Sequence, residues 1–157
     1  MAEELHIAKG DKNEKYSLLY KQIEAVIESE NDLIANMANI SSMIQSTFNF
    51  LWTGFYRVID EELVLGPFQG PLACSRIKYG RGVCGTAWKE KRTQVVPDVD
   101  KFPGHIACSS SSRSEIVVPV IKEGNVTAVL DIDSECLETF DNTDRYWLEK
   151  IAGILDK

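Results

Sequence analysis

Long apolar runs are missing from this chain. No stretch approaches the roughly 20 residues needed to span a bilayer, and the opening Met1-Ala2-Glu3-Glu4 is acidic where a signal peptide would be basic and then apolar. A cytoplasmic protein with no membrane partner is expected. Basic clusters are scarce too: 17 lysines and arginines face 24 acids for a formal charge of -7, and the densest basic group is Lys89, Lys91 and Arg92. That balance argues against nucleic acid or an anionic membrane as a partner. Repeats, low-complexity tracts and linkers are also absent, and 157 residues bury one core but not two ordinary domains. Cysteine stops at four. In a reducing compartment, so few cysteines are more often free, metal-bound or catalytic than structural disulfides.

The residues that are present divide into helices first, strands next and a closing helix. Leu18, Leu19, Ile23, Val26 and Ile27 recur at helical spacing from about 13 to 29, and Leu33, Ile34, Met37, Ile40 and Ile44 repeat the pattern after the cap candidates Asn31 and Asp32. The apolar faces of these two helices make a homodimer the expected assembly. Residues 1–12, with His6, are expected to form a flexible tail ahead of a single domain over 13–157. Phe50 to Val58, rich in aromatic and β-branched residues, meets Leu63-Val64-Leu65 across an acidic turn as a hairpin, and a third short strand is expected to carry Cys74. Gly80, Gly82 and Gly85 surround a turn into a helix that includes Thr86 to Lys89, followed by a strand at Gln94-Val95-Val96. From Pro97 to Ser114 the chain is nearly all turn chemistry, with four successive serines. A loop of that length in a compact domain is usually functional or disordered. A second hairpin over Glu115–Ile121 and Val126–Asp133 and a helix from Asp141 to Leu155 complete an α+β domain with an antiparallel sheet.

Cys74, Cys84 and Cys108 all lie among turn and loop residues, outside any apolar helical stripe. Thiol redox chemistry is the leading reading, because two thiols supply the two electrons that reduce a sulfoxide or a disulfide. The chain resembles the free methionine-(R)-sulfoxide reductases, a branch of the GAF domains, in Trp52-Thr53-Gly54-Phe55-Tyr56, Leu65-Gly66-Pro67-Phe68-Gln69-Gly70, Gly80-Arg81-Gly82-Val83-Cys84-Gly85 and Phe102-Pro103-Gly104-His105-Ile106-Ala107-Cys108. The blocks Ser114 to Pro119 and Val129 to Ser134 extend the likeness over about 16 to 155. The resemblance implies a single GAF-like domain, with a central antiparallel sheet flanked by helices, that reduces free L-methionine (R)-sulfoxide. It implies no bound cofactor and a thioredoxin-like protein as electron donor. One departure is visible, since the family commonly has an acidic residue where this chain has Ser109.

Such a reaction needs a thiolate to attack sulfur, an acid to protonate the departing oxygen and a second thiol to capture the sulfenic acid. By resemblance the nucleophile is Cys108, with Cys74 as the resolving thiol and Cys84 close behind; spacing does not separate the last two. His105 and Arg113 offer cations that would lower the pKa of Cys108. Cys136 lies outside the family pattern and reads as a bystander.

Asp131 and Asp133, two apart on a strand, point to one face. With Glu115 they form a carboxylate group in which one member would keep a proton for the oxygen and another would stay anionic for the ammonium of a free amino acid. Asp133 is the first candidate for the acid and Glu115 the alternative. A solvent-facing polar stripe on an edge strand is the plainer account of the same pattern. Trp52 and Tyr56 share a face and would wall the S-methyl group, although aromatics at such positions are commonly core. His105 serves equally as a base or as a loop-bonding residue. A zinc site from Cys74, Cys84, Cys108 and His105 lacks the close cysteine pair of structural zinc sites, and no metal is expected. The glycines around Arg81 lack the lysine and hydroxyl of a phosphate loop. A GAF sensor without turnover is the competing function, and an oxidant-sensing switch at Cys108 is a third.

Overall fold

The computed structural model describes residues 4–106 and 108–155. Helix α1, Lys12–Ile27, starts where the Asp11 carboxylate accepts the backbone N–H of Glu14, and it buries Tyr16, Leu19, Ile23 and Ile27 at helical spacing. Asp32 caps α2, Leu33–Phe48, in the same way, and Asn49 ends that helix in the left-handed conformation. Ahead of α1, the part of the expected flexible tail that is described (4–11) has neither helix nor strand. Its His6 backbone exchanges two 2.8 Å hydrogen bonds with the Gln22 carboxamide.

Six strands among the described residues form one antiparallel sheet: β1 Trp52–Ile59, β2 Glu62–Gln69, β3 Arg76–Lys78, β4 Gln94–Val96, β5 Ser114–Lys122 and β6 Asn125–Ser134, in the order β3-β2-β1-β6-β5-β4. The β1–β2 turn places Asp60 and Glu61 at positive φ, the geometry whose twist suits a two-residue hairpin. Between β3 and β4 lies α3, Gly82–Glu90, and the chain closes with α4, Asn142–Ile154, where Asp141 and Asp144 make a reciprocal capping box.

The period-2 alternation of the strands divides the interior between the two faces of the sheet. Phe55, Ile116, Val118, Leu130 and Ile132 point to one side and join α1, α2 and α4 in the larger core. On the other side, Trp52, Tyr56, Val117 and Val129 pack against Val83, Cys84 and Ala87 of α3. This second side carries the polar residues of interest.

The expected order of helices and strands matches the structure, with one correction. Cys74 lies in the loop before β3, not on a strand. Pairing with β2 begins only at Ser75, whose carbonyl accepts from Leu65 N–H at 2.9 Å. The Cys74 carbonyl is taken by a side chain instead, the Tyr56 hydroxyl at 2.9 Å. In the long loop, Val99–Lys101 forms a 3-10 turn whose buried Val99 anchors it to the core.

Candidate active site

Neighbouring strands bring the three carboxylates together. Glu115 stands opposite Asp133, and Asp133 stands opposite Trp52, so one row across β5, β6 and β1 reads Glu115, Asp133, Trp52. The next row reads Val117, Asp131, Gly54. Since β6 is central, the edge-strand account of the aspartate pair does not hold. Glu115 and Asp131 are each only 6% exposed.

Gly54 opens the space above Asp131. A Cβ there would lie 2.3 Å from the Phe68 Cβ and 2.7 Å from the Trp52 ring, so only glycine lets Trp52 lie across the strand. The Trp52 ring stacks on Phe68 at 5.2 Å and on Tyr56 at 5.9 Å between centroids, and its indole N–H donates to the Pro71 carbonyl. The aromatic wall expected from Trp52 and Tyr56 is therefore in place, held by polar ends that are already satisfied.

The opposite wall comes from the first turn of α3 and from the long loop. Trp52, Tyr56, Cys84, His105, Cys108, Ser109, Ser112 and the three carboxylates line a common pocket of about 40 Å³. Cys108 is joined to Cys74 in a disulfide with its Cα atoms 5.4 Å apart, closing 34 residues of chain. Both cysteines are half-buried, and Cys108 lines the pocket. Cys84 is free and buried inside the pocket, and Cys136 is free and exposed. The sulfurs of Cys74 and Cys108 are thus committed to each other, which takes them out of the four-residue zinc set. Cys84, Glu115 and Asp131 do place their ligand atoms within 4.8 Å of one another.

Electrostatics in the pocket follow from three acids crowded in a desolvated space. Burial pushes Glu115 well above the ordinary carboxylate range, and the charges of Asp131 and Asp133 push it further. Burial also raises Asp133 well above its usual range, against a pull downward from Ser112 and Glu115. Asp131 is raised by burial too, but bonds from Glu115 and Cys84 and the nearness of His105 oppose the shift. One oxygen of Asp131, Oδ1, is buried with no hydrogen-bond partner among the described residues. Such an acceptor costs free energy until something donates to it. The Cys84 thiol is driven up by burial and by the neighbouring carboxylates, so it stays protonated.

Two further residues enter the site. His105 sets Nε2 3.9 Å from Glu115 Oε1. Ser112 donates its hydroxyl to Asp133 Oδ1 at 3.0 Å, a contact that nothing in a run of four serines distinguishes. Ser109, at the position of the family's acidic residue, accepts the Ser111 N–H at 3.3 Å and so serves the turn. The arrangement combines a cysteine pair joined as a disulfide, three carboxylates crowded together, a buried carboxylate oxygen with no partner among the described residues and an apolar wall.

Comparisons with known proteins show the family to which the chain belongs. The GAF domain family model matches residues 30–155. GAF domain-containing protein A of Dictyostelium discoideum is 57% identical, with 99% of each chain covered. Free methionine-R-sulfoxide reductase of Saccharomyces cerevisiae is 43% identical over 94% of this chain and 87% of its own. Among solved structures, the free methionine-R-sulfoxide reductase of Neisseria meningitidis in complex with its substrate superposes with a TM-score of 0.96 at 52% identity, covering 98% of this chain and 93% of that one. This chain belongs to the GAF domain family and, within it, to the free methionine-R-sulfoxide reductases, a family of oxidoreductases.

Proposed function

We propose that the protein reduces free L-methionine (R)-sulfoxide to L-methionine, with Cys108 as nucleophile and Cys74 as resolving thiol. The observation that carries this reading is the Cys74–Cys108 disulfide beside a pocket that holds the buried carboxylates of Glu115 and Asp131 and the half-buried one of Asp133. In the first step the Cys108 thiolate attacks the sulfoxide sulfur, a carboxylic acid protonates the oxygen, and methionine leaves as Cys108 becomes a sulfenic acid. In the second, the Cys74 thiol attacks the sulfenic sulfur, the S–S bond forms and water departs. The sum is two thiols oxidised, one sulfoxide reduced and one water released.

Glu115 is the better proton donor of the two candidates, since no hydroxyl or amide among the described residues stabilises its anion. Asp131, with its unpartnered Oδ1, and Asp133 then receive the α-ammonium, which ties the reaction to the free amino acid. Trp52 and Tyr56 take the S-methyl group against their ring faces. Cys84 lines the pocket and keeps its proton. A thioredoxin-like dithiol protein restores the thiols by exchange at the half-buried Cys74 or Cys108 in the cytoplasm, and Leu33 and Ile34, exposed at the start of α2, are the apolar contacts of a homodimer. No helix among the described residues is long and apolar enough to cross a membrane.

Intact mass spectrometry tests the reading. Reduced protein mixed with free methionine sulfoxide under non-reducing conditions should lose two mass units and release methionine in equal amount. An unchanged mass would instead favour a GAF sensor that binds without turnover.

A further inference from the structure

Ser112 is the first residue after Cys108 that is firmly held. It is 8% exposed, and Arg113 beside it donates its N–H to the Ser134 carbonyl at 2.7 Å and accepts from Val99 at 3.0 Å. Those two bonds tie the end of the redox loop to β6 and to the 3-10 turn. The Ser112 hydroxyl therefore reaches Asp133 from a backbone that cannot easily withdraw. A serine hydroxyl has one proton to give, and here it goes to Asp133 Oδ1 at 3.0 Å.

The contrast with Glu115 gives this contact its meaning. Glu115 lies against the two aspartates and 3.9 Å from His105 Nε2, with no hydroxyl donating to it among the described residues, so as the protonated member it can donate to either aspartate. Asp133 has a donor from outside the group. We propose that Ser112 is a positioning residue, whose hydroxyl holds Asp133 as the anion that meets the substrate ammonium and thereby leaves the transferable proton on Glu115. The inference rests on the reductase reading above. The Ser112 bond does pull Asp133 down against burial. The titratable and charged groups around Asp133 are Asp131 on its own strand, Glu115 on β5, Tyr56 on β1, Cys84 and Arg81 at the start of α3, and His105 and, once reduced, Cys108 on the loop; the Cys108 thiol is common to wild type and variants, so only a shift of the limb between them reports Asp133. Ser112 changes charge with none of them, which is why its removal isolates the hydrogen bond.

The test is steady-state reduction of free methionine sulfoxide by the full chain between pH 5 and 9, with dithiothreitol as reductant. Ser112→Ala should raise KM at pH 7 by about tenfold and move the acidic limb of kcat/KM up by about one pH unit, the scale set by one hydrogen bond to an ion. The kcat should change by less than about threefold, because in the bound complex the ammonium itself keeps Asp133 anionic and the proton on Glu115, and Ser112→Thr, which keeps the hydroxyl, should restore the wild-type limb. In an Asp133→Asn background the same alanine substitution should alter KM by less than about twofold. An unmoved acidic limb, a loss of kcat at constant KM, or fully additive effects in the double variant would overturn the proposal. Should Ser112→Ala fail to fold, Ser112→Thr decides it alone, since a shifted limb despite the retained hydroxyl has the same force. No methionine from the wild-type protein at any pH would instead defeat the reductase reading itself.

Discussion

Glu115 is held well above the ordinary carboxylate range, because burial and two aspartate neighbours both oppose its charge. An acid whose folded pKa lies above its unfolded value binds more protons folded than unfolded in the window between the two. Stability therefore falls as pH rises from about 4.5 towards the raised folded pKa. Glu115→Gln removes that penalty, so its stability advantage over wild type should be absent near pH 4 and grow with pH, reaching at least about 1 kcal/mol at pH 8, the worth of one pKa unit. The same variant should lower the single-turnover chemical rate by about 100-fold or more if Glu115 is the proton donor. Urea melts across pH and rapid-quench methionine formation measure the two effects on one protein. Near-normal chemistry in both Glu115→Gln and Asp133→Asn would reduce the carboxylates to binding groups. The thiols separate more sharply: Cys108→Ser should form no methionine even in one turnover, while Cys74→Ser should form about one per subunit and stall. A first turnover in Cys108→Ser would remove it as the nucleophile.

Strand β1 turns a steric constraint into a binding surface. Gly54 is the only residue type that leaves room for the Trp52 and Phe68 side chains, the nearest atoms lying 2.3 and 2.7 Å from a would-be Cβ. The Phe68 contact is its Cβ, fixed to the backbone, whereas the Trp52 contact is the tip of the indole ring, which can move only by leaving its stacked position. Gly54→Ala should cost about 1–3 kcal/mol by overpacking and displace the Trp52 ring from the pocket, raising KM for methionine sulfoxide by about tenfold; unchanged KM beside lost stability would show that Trp52 is core alone. Elements of this kind were readable in the sequence because alternation and helical spacing are local signals. Trp52 and Tyr56 were assignable to one face of their strand and Asp131 and Asp133 to one face of theirs, and Asp32, one of the two expected cap candidates, caps α2. What local pattern could not carry was contact across the chain. Cys74 leaves the strand because Tyr56 takes its carbonyl, His105 comes to Glu115 through loop closure, and Ser112 differs from its three neighbours only in where the fold sets it. The Cys74–Cys108 pairing likewise spans 34 residues; only the family likeness favoured it over Cys84.

For the molecule as a whole, the disulfide joins the loop ahead of β3 to the loop ahead of β5, so its formation ties together two loops that border the pocket. The disulfide state leaves a cavity of about 40 Å³. That is room for a few waters. Resolution by Cys74 is expected to narrow access for substrate and product, and reduction to widen it. Calorimetry with free methionine, which binds without turnover, reads this coupling directly. A Cys74→Ser/Cys108→Ser double variant, which cannot close the loop, should bind methionine at least about tenfold more tightly than the oxidised wild type. N-acetylmethionine should bind that variant far more weakly than methionine, because the unpartnered Asp131 oxygen loses the ammonium that satisfies it. Equal affinity of the oxidised and double-variant proteins would separate the disulfide from pocket access. Equal affinity for the two ligands would remove the carboxylates from recognition of the free amino acid.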